Sequence, residues 1–341
     1  MEYLPASGSY IITGAAGHLG STILRLLADT PAEISALILP QEHPAVQAEN
    51  IHYVRGDVRD PASLKPLFEL FPDGTAAVIH TAALISIARK MPPLLREVNV
   101  TGTENMLEAA RQHHVRRYIQ VSSVHAIPPL PNGNVMTEIA AYDPDLVSGG
   151  YAKTKAEAAQ KVLAAAGRGL DAAIVLPSGI LGPYDCGHNH LSQMIIAYLH
   201  GRLPACVSGG YDFVDVRDAA AGCLAAADAE RVSGSYLLTG HYACIRDLLQ
   251  SAGEIAGRRP VPVIPTGIAR MAVPAIEQAA RLSGHRPLYT EYSLETLAVN
   301  SRFSSARAER ELGYASRPLQ QTLADMICWL RSREAVQQNE H

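Results

Sequence analysis

Tyr151 and Lys155, in the run Tyr-Ala-Lys-Thr-Lys, stand four residues apart, so on a helix they share one face. A phenol titrates near 10, but an ammonium held beside it favours the phenolate and lowers that value. Such a tyrosine can exchange a proton with an alcohol or a carbonyl. The same spacing also describes an ordinary solvated helix face. Ser122 and Ser123 end the apolar run Tyr118 to Val121. A hydroxyl there would stand outside the carboxyl end of a strand, where open parallel sheets bind their ligands. Gly14, Gly17 and Gly20, in TGAAGHLG, have the spacing of a tight turn that lets the backbone approach a pyrophosphate at a helix N-terminus.

These residues work only if strands and helices deliver them. Short apolar runs at Tyr10–Ile12, Ile34–Leu39, Ile51–Val54, Ala77–His80, Tyr118–Val121 and Ala172–Leu176 read as strands. Helical patterns at 18–28, from Asp60-Pro61, at 94–113 and at 150–166 fall between them. The alternation predicts an α/β fold, a doubly wound parallel sheet of the Rossmann kind. After Pro177 the pattern changes, with a helix at 190–200. The stretch 212–229 followed by 234–238 reads as strand, helix and strand rejoining the sheet. From 245 to 330 the chain reads as helical with proline-rich interruptions. Residues 1–176 and 208–240 are therefore assigned to dinucleotide binding, 177–207 and 241–330 to an interleaved substrate-binding region, and 331–341 to a frayed polar tail.

The composition narrows the function. The 341 residues carry a net charge of −4, with 18% charged residues, which excludes the basic footprint of a nucleic-acid binder. No run approaches the roughly 20 apolar residues that span a bilayer, and the N-terminus lacks the pattern of a signal peptide. A cytoplasmic protein acting on a small molecule, with neither nucleic acid nor membrane as partner, is expected. The five cysteines, 186, 206, 223, 244 and 328, form no Cys-x-x-Cys pair, so buried unreactive thiols are expected and no zinc site. His188 and His190 share no helix face, so no metal is expected there either.

Taken with GDVRD (56–60), VIHTAA (78–83), NVTGTENMLEAA (99–110), YIQVSSVHA (118–126), LPSGILGPYD (176–185) and DFVDVRDAA (212–220), the motifs resemble the extended short-chain dehydrogenase/reductases. This is the NAD-dependent epimerase/dehydratase family, and the likeness is nearest to dihydroflavonol reductase and 3β-hydroxysteroid dehydrogenase types. It covers roughly residues 10–330 and implies a catalytic set of Ser123, Tyr151 and Lys155. It further implies cofactor contacts from Gly14, Ala16, Gly17, His18, Leu19, Gly20 and Leu39, with Asp57 and Val58 against adenine. Thr81, Ala82 and Ala83 should line the cleft with His80, Asn99 should sit below the active site, and Pro177, Gly179 and Ile180 should join Tyr151 and Lys155 at the cofactor. Ser123, His125, Tyr184 and His188 are the substrate-side candidates. The implied reaction is hydride transfer between a nicotinamide and a hydroxyl- or carbonyl-bearing carbon, Tyr151 acting as general acid/base. A homodimer through helices 94–113 and 150–166, with Leu107, Ala110, Ala158 and Leu163 on their faces, is implied as well.

The sequence departs from this pattern at two places. A carboxylate after the second strand would bind the ribose of NAD, and an arginine would accept the 2′-phosphate of NADP. Neither stands in register, because Leu39 and Pro40 occupy the place; Glu42 and His43 reach it only if the loop folds back. The cofactor is therefore NAD or NADP, the missing arginine favouring NAD. Val124 and His125 replace the Asp-Glu pair of the dehydratases, which disfavours water loss. The reading is an NAD(P)-dependent oxidoreductase. A nucleotide-sugar epimerase with retained NAD and a non-catalytic dinucleotide-binding regulator are the alternatives; the substrate region offers Arg202 and Arg217, and Arg217 recurs in reductases and epimerases alike.

Overall fold

Successive side chains of a strand point to opposite faces. The first strand, β1 (Ser9–Thr13), uses that rule to join two apolar layers, Ile11 packing into one and Tyr10 and Ile12 into the other. The structure is a computed structural model; it describes residues 8–86, 91–185, 189–271, 273, 278 and 290–339. β2 (Glu33–Ile38), β3 (Ile51–Arg55), β4 (Ala76–His80), β5 (Arg117–Val121), β6 (Ala172–Pro177) and, from further along the chain, Ser235–Leu238 complete a seven-stranded sheet with β1. Every neighbouring pair is parallel, and the order places β4 beside β1 at the point where the winding reverses. In such sheets ligands bind outside the carboxyl ends of the strands at that crevice.

One layer holds α1 (His18–Leu27); the other holds α2 (Pro61–Phe68), α3 (Pro93–Arg96), α4 (Gly102–Gln112) and α5 (Gly150–Ala166). Asp60 caps α2 by accepting from the Ala62 amide, and Pro61 takes the first helical position, where a missing N–H costs nothing.

The structure departs from the sequence reading in three places. The helix expected over 94–113 is interrupted by a π-turn at Glu97–Thr101, which contains Asn99. The stretch 212–229 does not rejoin the main sheet through its strand. The chain leaves the sheet at Ser178, and β7 (Gly179–Leu181) then pairs in parallel with a strand at Gly210–Asp215, which pairs antiparallel with His241–Cys244. Of the expected strand–helix–strand only Ser235–Leu238 returns, alongside β6. The polar tail is helical as far as Asn339, because Leu319–Asn339 contains neither Gly nor Pro to stop the helix.

Numbering on in chain order, α6 is His190–Leu199, β8 Cys206–Val207, β9 Gly210–Asp215, α7 Val216–Asp228, β10 Ser235–Leu238, β11 His241–Cys244, α8 Ile245–Ala256 and β12 Val263–Ile264. The helices Glu291–Ala298, Ala306–Leu312 and Leu319–Asn339 are α9, α10 and α11. Ala308 on α10 and Tyr314 beyond it pack with α1 and α7, so the segment assigned to substrate binding also closes one face of the main sheet. Leu107, Ala110 and Ala158, expected on a dimer face, are buried within the chain itself, while Leu163 is only partly buried. Cys206 and Cys223 are buried as expected, but Cys244 is half-buried and Cys328 exposed; Cys186 lies outside the described residues.

Candidate active site

β1 ends in the glycine turn, and each glycine is there for a different reason. Gly14 has φ +65, and a Cβ on it would lie 2.8 Å from the Ala82 amide nitrogen. A Cβ on Gly20 would lie 2.2 Å from the Gly14 carbonyl oxygen, so this glycine lets α1 close onto the turn. Gly17 is exposed, and its Cβ would meet only the Gly14 oxygen, at 3.1 Å. The protein's own packing asks little of Gly17. It is also the N-cap of α1, where no side chain satisfies the free amides. A bare backbone edge at a helix N-terminus fits a pyrophosphate. Ala16 is half-buried and Leu19 is buried in the α1 layer. The His18 ring hydrogen-bonds the Pro183 carbonyl through Nε2 (2.8 Å) and lies 3.8 Å from Asp185, tying the turn to the segment after β7.

A buried polar chain runs from this turn towards the candidate catalytic helix. Thr13 Oγ1 lies 2.7 Å from His80 Nδ1 and accepts from the Ala82 amide, while the Thr81 hydroxyl donates to the Thr13 carbonyl. These contacts fix the loop Thr81–Ala83 across the mouth of the crevice. Burial drives the His80 pKa down to about 3, with the Lys155 charge adding to the effect, so the imidazole is neutral. The π-turn lets Asn99 bridge two elements. Its Oδ1 accepts from the Leu84 amide (2.8 Å), and its Nδ2 donates to the Leu84 carbonyl and to Thr154 Oγ1, both at 3.0 Å. Thr154 in turn donates to the Tyr151 carbonyl.

Ser123, Tyr151 and Lys155 come together above β5. Ser123 follows the strand with extended backbone, its hydroxyl accepts from the His125 amide (3.3 Å), and it stands close enough to the Tyr151 phenol to favour the phenolate. Ser122 is buried, and among the described residues its hydroxyl has no hydrogen-bond partner. Lys155 donates from Nζ to the Val121 carbonyl (2.9 Å) and sits 5.9 Å from the centre of the Tyr151 ring. Burial lowers the Lys155 pKa to about 8. The expected lowering of the Tyr151 phenol does not occur: desolvation raises its pKa above the ordinary value, the Ser123 hydroxyl opposing. An ammonium turned towards Val121 does not outweigh the loss of water around the phenol. At neutral pH Tyr151 therefore holds its proton.

Around this trio stands an aromatic wall that sequence reasoning found only in part. His125 meets the Tyr151 ring edge-on at 6.0 Å and stacks on Tyr211 at 5.6 Å, with Nε2 and the Tyr211 hydroxyl 2.9 Å apart. Tyr292 on α9 lies 6.3 Å from His125. Two glycines make room: a Cβ on Gly179 would fall 2.8 Å from the Tyr211 ring, and one on Gly149 would fall 2.2 Å from Tyr292. Burial pushes the His125 pKa down to about 4 and the phenols up, so the wall is uncharged at neutral pH. A pocket opens beside it, with Val124, Ile127, Met136, Val147 and Phe303 on its apolar sides; Glu295 is the one formal charge among the described lining residues.

Val58 is buried against Gly102, and Asp57 is paired with Arg59 (2.7 Å), which holds its carboxyl below the usual range. Pro177, Gly179 and Ile180 carry the chain from β6 into β7. Leu39 is half-buried just beyond β2, where its amide donates to the Glu42 carboxylate. Tyr184, expected beside the substrate, instead has φ +76 and packs between the Arg25 guanidinium and Trp329. His188 lies outside the described residues, and among those described no cluster of metal ligands occurs. No helix of the described residues is long and apolar enough to cross a membrane.

Comparison with known proteins identifies the family and the fold. The profile of the NAD dependent epimerase/dehydratase family matches residues 10–238. Sterol demethylase protein B of Methylococcus capsulatus is 33% identical over 96% of this chain and 99% of its own. The 4-hydroxy-2-methyl-3-oxo-4-farnesyl-3,4-dihydroquinoline-1-oxide ketoreductase of Stigmatella aurantiaca is 30% identical over 93% of this chain and 94% of its own. Among solved structures, the crystal structure of gox2253 superposes with a TM-score of 0.81 at 30% identity, covering 96% of this chain and 99% of that one.

Proposed function

The chain belongs to the NAD-dependent epimerase/dehydratase family, and from that premise we propose that it reduces a neutral, apolar ketone, or oxidises the matching alcohol, with Tyr151 as the proton-transfer group. The observation that carries this reading is a mainly apolar pocket, with Glu295 its one charged residue among those described, bordered by the His125–Tyr211 wall that meets the ring of a protonated Tyr151. A bound nicotinamide would supply the hydride chemistry, and the protein supplies position and the proton. The exposed Gly17 edge would hold the pyrophosphate, and the segments Thr81–Ala83 and Pro177–Ile180 would flank the rest of the dinucleotide. In the direction of reduction, the Tyr151 hydroxyl donates its proton to the carbonyl oxygen, while Ser123 hydrogen-bonds the same oxygen. Lys155 keeps a positive charge next to the phenol and favours the phenolate that donation leaves behind.

The two relatives bear names that refer to a sterol and to a farnesylated ring ketone, consistent with an apolar substrate. A nucleotide-sugar epimerase is less well supported. A diphosphate needs cations, yet the pocket's one charged lining residue among those described is the acidic Glu295. Arg217 is held by Asp215 and Asp325 at 2.7 Å each, Arg202 is exposed, and the Arg302 guanidinium lies over Tyr242 in a neighbouring depression. A homodimer belongs to this proposal by family resemblance, and sedimentation at micromolar concentration tests it.

The decisive assay supplies NADH or NADPH with cyclic, steroidal and flavonoid ketones and with UDP-glucose, following reduced cofactor by absorbance and sugar epimers by chromatography. Oxidation of cofactor by a ring ketone is the expected result, with Tyr151→Phe losing about a hundredfold or more of kcat/KM while still binding cofactor. Epimerisation of the sugar with no ketone turnover would replace the proposal by the epimerase reading. Cofactor binding without any turnover would replace it by the regulator.

A further inference from the structure

We propose that Glu42 supplies, from outside the expected register, the carboxylate that binds the adenosine ribose and makes this chain prefer NAD to NADP. The inference rests on the reading that the Gly14–Gly20 turn holds a nicotinamide dinucleotide.

The place where the two cofactors differ can be located on the sheet. The Ala15 amide donates to the Leu37 carbonyl (3.1 Å) and the Gly56 amide to the Ile38 carbonyl (3.0 Å). The last residues of β2 therefore lie directly beside the glycine turn. A dinucleotide whose pyrophosphate sits on that turn brings its adenosine ribose to the end of β2. The residue in register there is Leu39, which has neither a charge nor a polar side chain.

The chain reverses immediately afterwards. The Glu42 amide donates to the Leu39 carbonyl (3.0 Å), and Glu42 Oε2 accepts from the Leu39 amide (2.8 Å). The reversed turn is clamped from the neighbouring strand by Arg55, the last residue of β3, whose guanidinium donates to the Pro40 carbonyl and to the Glu42 carbonyl (2.9 Å). A carboxylate is thus delivered to the end of β2 by a residue three positions downstream. Gln41 and His43, the other polar residues of the loop, are exposed.

The chemistry of that carboxylate selects between the cofactors. An ionised carboxylate offers about four acceptor sites. One bond to the Leu39 amide leaves capacity for the two ribose hydroxyls of NAD. A 2′-phosphate in the same place would set two like charges within a few ångströms in a half-buried site, where Coulomb repulsion is stronger than in open water. Arg55 already serves two carbonyls and holds the turn that presents Glu42, while Arg25 of α1 donates to the Ala45 carbonyl and lies over the Tyr184 ring. Arg55 is a positioning residue for the carboxylate.

Titration of the full-length protein with NADH and with NADPH, followed by the fluorescence of the bound reduced nicotinamide, tests this without any substrate. The wild type should bind NADH at least about tenfold more tightly than NADPH. Glu42→Gln keeps an oxygen to accept from the Leu39 amide but removes the charge, and should bring the two affinities within about threefold, chiefly by tightening NADPH. Arg55→Ala keeps the carboxylate but frees the turn, and should give an intermediate ratio. Circular dichroism of each variant establishes that it is folded. Tighter wild-type binding of NADPH, or an unchanged ratio in Glu42→Gln, overturns the role of Glu42 and leaves the dinucleotide reading standing. Binding of neither dinucleotide by the wild type overturns both.

Discussion

The Tyr211 hydroxyl and Nε2 of His125 lie 2.9 Å apart, their rings stacked at 5.6 Å, although the residues are 86 positions apart in the chain. Tyr211 comes from the second sheet and His125 from the loop that follows Ser123, so this bond joins the substrate region to the reaction centre. Tyr211→Phe keeps the ring and removes the bond. It should cost about 1 kcal/mol of stability, raise KM for a ring ketone several-fold and leave kcat within about threefold. Thermal melts and steady-state kinetics check this, and an unchanged KM would remove Tyr211 from the substrate wall.

The glycine turn separates packing from ligand contact. Gly20→Ala drives a Cβ to 2.2 Å from a backbone oxygen and should destabilise the fold by about 1–3 kcal/mol. Gly17→Ala meets only one atom, at 3.1 Å, and replaces a glycine N-cap, so it should cost no more than about 1 kcal/mol. Its methyl group would nonetheless sit on the edge offered to the pyrophosphate, and dinucleotide affinity should fall about tenfold, or about 1.4 kcal/mol. Calorimetry and cofactor titration on both variants separate the two effects.

Acid should destabilise this protein before its carboxylates titrate. His80 and His125 have folded-state values of about 3 and about 4, against 6.5 ordinarily, and His18 is also lowered. Below 6.5 the unfolded chain binds protons that these buried rings refuse, so stability is complete above that pH and declines as pH falls towards the folded values. Urea unfolding at about pH 5 should give up to about 2 kcal/mol less than at about pH 7 for each of His80 and His125. His80→Gln, measured the same way, should show a shallower loss between the two; an identical slope would show that His80 does not contribute.

Lys155 carries the opposite sign of expectation at high pH. Burial brings its ammonium down to about 8, so it loses its charge above that pH while the phenol beside it is still protonated. The pH profile of kcat/KM should fall on an alkaline limb near that value. Lys155→Met should lower activity at every pH and abolish that limb; a limb that survives in the variant assigns it to another group.

The strands and the glycine turn were legible because their signals are local. Alternating apolar residues such as Tyr10, Ile11 and Ile12 state which face each side chain takes, and Gly14 to Gly20 sit between a strand and a helix that the same periodicities reveal. Ser123, Tyr151 and Lys155 could be named from their motifs. The direction of the Tyr151 pKa could not, because it depends on how much water packing removes from the phenol. Asn99 was visible as a residue, whereas the π-turn that aims it at Leu84 and Thr154 arises from contacts across the fold.

The amino-acid sequence by itself determined the parallel sheet, the family and the catalytic candidates, since strand period, helix spacing and short motifs are properties of neighbouring residues. Tertiary structure alone decided which side chains share a space. Tyr211 and Tyr292 reach His125 only because Gly179 and Gly149 leave room for their rings. Glu42 returns to the end of β2 only because Arg55, on the next strand, holds the turn closed. Such meetings depend on chain reversals and on vacant volume, and neither is written in the spacing of residues along a line.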